Sequence, residues 1–246
     1  MITIGFTGVV QTFHGRPIFG PLNERLTAGQ ITVVTGENGS GKSTMLKLAG
    51  QLLSPTEGKV IARDGDHELV QAAFRSQLAL VTPELKFYSR LTARENLQFL
   101  LGLRGIELKD DAFSALLERV GLREKDIRQT YTGEFSTGMR QRLKLAALLA
   151  SGAAVWLLDE PGANLDAAGR ELVLREARRG AADGKLVFWA TNDSRAAVPG
   201  RLGRDVHVCP DYAGLCEHGH AGWWARPTAA GCPVMGDPVL RFDGRS

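Results

Sequence analysis

The stretch that decides the fold is ITVVTGENGSGKSTMLKLAGQLL, residues 31–53. An apolar, β-branched run at 31–35 leads directly into Gly36, Gly39 and Gly41, and apolar residues then recur at helical spacing, which predicts a helix over 42–53. Strand, glycine-rich turn and helix in that order are the context that the pattern Gly-x-x-x-x-Gly-Lys-Ser, here Gly36 to Ser43, requires. Glycine lets the backbone curl so that successive N–H groups point at an anion, and the following helix adds the positive end of its dipole. A triphosphate suits such a cradle, lined by Gly36, Glu37, Asn38, Gly39, Ser40, Gly41, Lys42, Ser43 and Thr44. In this chemistry Lys42 pairs with the β- and γ-phosphates and the Ser43 hydroxyl ligates Mg²⁺.

Mg²⁺ is a hard cation that takes oxygen ligands, so an acidic residue is expected at the end of a neighbouring buried strand. VWLLDE, residues 155–160, supplies it: Asp159 would hold the metal and Glu160 would polarise an attacking water as general base. Read alone, an acidic pair after a strand is an ordinary solvated loop. The phosphate loop gives it a purpose.

Outward from these two motifs, strands are expected from Val60, over 78–82 and over 185–193, with a helix over 167–180. That alternation is expected of a parallel sheet with helices on its faces. Residues 1–35 read as short strands broken by turn residues. Residues 84–150 read as a mostly helical insert, with helices over 93–104 and 110–120 capped by Thr92 and Asp110.

A chain of 246 residues, 43% hydrophobic and 23% charged, can bury a full core and is not disordered throughout. The net charge of +3, spread along the chain, gives no reason to expect a nucleic-acid partner. No run approaches the roughly 18 to 20 apolar residues of a membrane-spanning helix, and the N-terminus lacks a signal-peptide pattern. A cytoplasmic location is therefore expected, with another chain supplying any membrane channel. The 3 cysteines all lie beyond residue 200 and form no disulfide framework.

From about residue 2 to 209 the chain closely resembles the ATP-binding cassette family, the ATPase subunits of ABC transporters. FSTGMRQRLKLAALLA, residues 135–150, is similar to the family's signature LSGGQ followed by Arg-Gln-Arg; Ser136 and Gly138 match, whereas Phe135, Thr137 and Met139 depart. The resemblance implies an α/β P-loop NTPase fold: an ABC ATPase core with a parallel sheet, antiparallel N-terminal strands and a helical subdomain at about 84–150. It implies binding and hydrolysis of ATP with Mg²⁺. It also implies a second ABC ATPase subunit, in a homodimer or heterodimer, whose Ser136-type cap closes over the nucleotide held opposite, and a separate transmembrane permease subunit that places the chain at the inner face of the membrane. Phe13 falls where an aromatic stacks on adenine, and Asp166 of PGANLD lies in the loop that communicates across the pair.

Two departures concern the chemistry. Where the family has a Gln after the strand that ends near Thr82, this chain has Pro83 and then Glu84, an alternative oxygen ligand for the metal. The usual switch His is Asn192, which can donate a hydrogen bond to a γ-phosphate but cannot take up a proton at neutral pH. The signature variant and the single short cassette resemble subunits of exporters. The rival expectation is a soluble ABC-type regulator that uses ATP-dependent dimerisation without transport. In the tail, residues 210–246, no role is evident. Cys209, Cys216, His218, His220 and Cys232 carry zinc-ligand chemistry without a common ligand spacing. RDVHV, residues 204–208, reads as a last strand of the fold.

Overall fold

The computed structural model describes residues 1–192 and the strand at 203–207. The tail cysteines and histidines at 209–232 lie outside the described residues. The chain opens with two long strands, β1 (Ile2–Phe13) and β2 (Arg16–Thr27), followed by β3 (Ile31–Thr35) and α1 (Lys42–Ala49). Next come β4 (Glu57–Asp64), β5 (His67–Glu68), α2 (Gln71–Ser76) and β6 (Leu78–Val81). Helices α3 (Ala93–Gly102), α4 (Asp110–Arg119), α5 (Glu124–Ile127) and α6 (Thr137–Ala150) precede β7 (Val155–Asp159), α7 (Ala167–Ala182), β8 (Leu186–Thr191) and β9 (Gly203–His207).

These strands form two sheets. One is antiparallel, in the order β2-β1-β4-β5; the other is parallel, in the order β6-β7-β8-β3-β9. In the parallel sheet, alternate residues enter different cores. Ile31, Val33, Trp156, Leu158, Val187 and Trp189 pack with α3, α4, α6 and α7. Val34, Val155, Leu157, Leu186, Phe188 and Ala190 pack instead with α1 and the antiparallel sheet. A strand buried on both faces has no solvent side for polar residues, which is why VWLLD and LVFWAT show no polar alternation and are polar only at their last residues, Asp159 and Thr191. Each large side chain buried there contributes about 1.5–3 kcal/mol.

Several local expectations need correction. The first helix ends at Ala49 because the chain turns left-handed at Gln51 (φ 52) and the Leu52 N–H bonds back to the Lys47 carbonyl at 2.8 Å. The N-terminal region is two strands of 12 residues each, not several short ones, because its turn-prone residues are absorbed by register shifts along β1. Thr92 caps α3 in a capping box with Glu95, as expected. Asp110 does not cap α4. Lys109 occupies the cap position, and Asp110 is the first helical residue, ion-paired with Arg94 of α3.

Two arginines tie the helices to one another. Buried Glu176 of α7 accepts from Arg119 of α4, with Nε at 2.9 Å. Arg142 of α6 donates to the Val120 carbonyl at 3.0 Å and lies 3.5 Å from Asp166.

Candidate nucleotide site

The parallel register brings the candidate residues together. Thr35 of β3 pairs with Thr191 of β8, and Ala190 of β8 pairs with Asp159 of β7. The residues just beyond those positions, Gly36, Asn192 and Glu160, therefore share one edge of the sheet, at the carboxyl ends of its strands. This is where open α/β sheets bind ligands.

The loop after β3 is shaped by its glycines. Gly39 has φ +84 with open space where a Cβ would project, and Gly41 has φ +98 as the cap residue of α1. At Gly41 a Cβ would lie 2.6 Å from Cγ2 of Ile18 and 3.2 Å from Phe19, so the β1–β2 hairpin lies against the loop. Phe13 sits at the end of that hairpin opposite Arg16 and is 41% exposed.

The Lys42 ammonium is nearly buried and donates to the carbonyls of Gly36 and Glu37, both at 2.8 Å. Burial lowers its pKa, while the charges of Glu160 and Asp159 oppose that fall. The Ser43 hydroxyl lies near enough to Asp159 to favour its charged form, so the two expected metal ligands are neighbours. Burial raises the Asp159 pKa; the Ser43 hydroxyl and the Lys42 charge oppose the rise, and Glu84 adds to it. Glu84 is thus near enough to act on Asp159 electrostatically.

Glu160 has a left-handed backbone (φ 46), and its N–H donates to the Ala190 carbonyl at 2.9 Å. Burial raises the pKa of its carboxyl, and the Lys42 charge works against the rise. The Thr191 hydroxyl donates to Oε2 at 3.2 Å, whereas Oε1 is buried without a hydrogen-bond partner among the described residues. Asn192 donates to Oδ1 of Asn38 at 3.4 Å, which brings the residue in the switch-His position against the phosphate loop.

The donor set fits MgATP. The open cradle at Gly39, the buried Ser40 hydroxyl and Glu160 Oε1, both unpartnered among the described residues, and the neighbouring Ser43 and Asp159 are what an anion, a hard cation and a water require.

Ser136 and Asp166 do not join this cluster through any described contact. Ser136 caps α6, accepting from the Met139 N–H at 3.2 Å, and Gly138 has Asn164 3.6 Å from where a Cβ would sit. Asp166 caps α7, accepting from the Gly169 N–H at 2.8 Å. Thr191 and Lys144 escaped the sequence reading. Thr191 was hidden inside an apolar strand, whereas Lys144 had a visible signal, a lone cation within the apolar run of α6.

Comparison with known proteins agrees with this geometry. Residues 19–163 match the family model described as ABC transporter. The chain is 38% identical over 192 residues to the cytochrome c biogenesis ATP-binding export protein CcmA of Xanthomonas campestris, covering 75% of this chain and 84% of that one. It is 31% identical over 193 residues to the probable multidrug ABC transporter ATP-binding protein YbhF of Escherichia coli, covering 77% of this chain and 33% of that one. Among solved structures, an ABC transporter ATP-binding protein of Pyrococcus furiosus superposes with TM-score 0.69 at 20% identity, over 78% of this chain and 92% of that one. A dimeric ATP-binding cassette bound to ADP and Pi superposes with TM-score 0.67 at 25% identity, over 80% of this chain and 90% of that one. With the phosphate loop, acidic pair and signature helix arranged on this fold, the chain belongs to the ABC transporter family as an ATP-binding subunit that hydrolyses ATP.

Proposed function

We propose that this ATPase couples MgATP-driven closure of a cassette dimer to transport, in the export direction, by a separate membrane permease. In this reading residues 1–209 form the cassette, with about 84–150 as its helical subdomain and 210–246 as a tail. The observation that carries the proposal is the meeting of Lys42, Ser43–Asp159, Glu160–Thr191 and Asn192–Asn38 at one sheet edge.

Residue roles follow from those contacts. The loop N–H groups and Lys42 hold the phosphates, and Ser43 with Asp159, flanked by Glu84, would hold Mg²⁺. Bound Mg²⁺ would neutralise charge developing on the β- and γ-phosphates. Glu160 accepts a proton from water at Oε1, the oxygen without a hydrogen-bond partner among the described residues. Asn192 donates to a γ-phosphate oxygen. Ser136, at the N-terminus of α6, would cap the nucleotide of the second subunit together with Gly138.

The export direction is supported by the similarity to CcmA, named an export protein, and dimer formation by the dimeric cassette. A permease contact is supported by exposed Tyr88 and Phe99, whose rings meet edge to face at 5.1 Å, with exposed Leu103 one turn beyond. Among the described residues no helix is long and apolar enough to cross a membrane, so a peripheral position through the permease follows from this reading.

The test is purification of the tagged chain from detergent-solubilised membranes with Glu160→Gln as a trap. Recovery with a multi-spanning chain, and an ATP-bound dimer of the variant, is expected. Recovery as an ATP-dependent dimer with no membrane chain would overturn transport in favour of a soluble regulator.

A further inference from the structure

Lys144 is a cation in the middle of α6, between buried Leu143 and Leu145, with only 7% of its own surface exposed. Its ammonium donates to the Thr82 carbonyl at 2.8 Å and to the Pro83 carbonyl at 3.1 Å. An ammonium held at that depth needs oxygen partners, and it takes them from a single turn. Burial lowers its pKa, and the Glu84 charge opposes that fall.

That turn leads into the site. Val81, the last residue of β6, pairs with Leu158, so Thr82 follows β6 just as Asp159 follows Leu158. The turn closes on itself weakly: the Leu85 N–H reaches the Thr82 carbonyl at 3.3 Å and its hydroxyl at 3.2 Å, and Pro83 has no N–H to contribute. Lys144 supplies the bonds that fasten this turn to a helix, and Glu84, two residues beyond Thr82, leaves from the strand end that neighbours the one carrying Asp159. The same helix starts at Ser136.

We infer that Lys144 is a positioning residue for ATP hydrolysis: by fastening the Thr82 and Pro83 carbonyls to α6 it fixes Glu84 relative to Asp159 and links that turn to the Ser136 end of the helix. The inference rests on the metal-side roles of Asp159 and Glu84 given under the proposed function. Phosphate binding by Lys42 does not depend on it.

The test is steady-state ATPase activity and equilibrium ATP binding of the full chain as Lys144→Met, Glu84→Gln and the double variant, beside Glu160→Gln. Misplacing a group by about 1 Å can cost up to about 100-fold in rate, so Lys144→Met is expected to lower kcat about tenfold with ATP affinity within about twofold of wild type. In the Glu84→Gln background the same substitution is expected to cost less than about threefold, because both act through one turn. Unchanged kcat in Lys144→Met, a parallel loss of kcat and affinity, or losses that multiply in the double variant would each overturn the inference. If Lys144→Met does not fold, Lys144→Gln retains an N–H donor and is expected to lower kcat at unchanged affinity, and a parallel loss of affinity overturns the inference there too. Wild-type hydrolysis by Glu160→Gln refutes the base assignment instead and leaves this result separately readable.

Discussion

The Thr191 hydroxyl donates to Oε2 of Glu160 at 3.2 Å, so one carboxylate oxygen is tethered while the other, Oε1, is buried with no hydrogen-bond partner among the described residues. A carboxylate held by one oxygen in a site that raises its pKa suits the proton-accepting role proposed for Glu160. The same burial makes it a liability to the folded chain without nucleotide.

Burial raises the folded-state pKa of Glu160 above its unfolded value. Below the unfolded pKa the group is protonated in both states and carries no penalty; as pH rises through the folded pKa, the folded chain must bear a buried charge and loses stability. Glu160→Gln is therefore expected to melt above wild type at pH 7 without nucleotide, with the gap closing below about pH 4, near the ordinary carboxylate value. Melting curves between those pH values measure it. A gap that widens in acid would refute the sign.

Lys42→Ala removes the ammonium and its bonds to the Gly36 and Glu37 carbonyls. A hydrogen bond to a charged group is worth about 1.5–3 kcal/mol, so ATP affinity is expected to fall about 10- to 100-fold or more. Isothermal titration with MgATP reads this directly, and an unchanged Kd would remove Lys42 from phosphate binding.

Gly41→Ala places a Cβ at φ +98, 2.6 Å from Ile18. Left-handed strain alone costs about 1–3 kcal/mol for a residue other than glycine. We expect a lowered melting temperature together with weakened ATP binding, because the loop and the hairpin must separate. Retention of both properties would show that the loop relaxes freely.

Arg119→Ala leaves the carboxylate of Glu176, with 4% of its side chain exposed, without its main partner; Arg175 remains at 3.9 Å. Breaking a buried pair costs about 3–5 kcal/mol, but the Arg119 side chain is partly exposed, so about 2–3 kcal/mol is expected. Glu176→Gln should cost less, since a neutral amide needs no counterion. Urea unfolding of both variants tests the order, and a larger loss for Glu176→Gln would refute it.

Much of this was legible in the residues themselves. Strand, glycine loop and helix at 31–49 follow from composition and spacing, because only glycine takes the left-handed backbone of Gly39 and Gly41 without strain. The strands at 155–159 and 186–191 announce a doubly covered sheet through unbroken apolarity, and RDVHV overlaps the strand β9 beside β3.

What the chain order could not specify was which strands become neighbours. β3 lies between β8 and β9, more than 150 residues away in sequence, and β4 pairs with β1 across two intervening strands. Only that packing sets Thr191 on Glu160, Asn192 on Asn38 and Lys144 on the turn after β6. Local backbone chemistry is written residue by residue, so the phosphate loop could be read from one segment. The tether on Glu160 and the hold on the Thr82–Pro83 turn depend on hydrogen bonds between distant segments, which only the packing of the sheet and helices brings together.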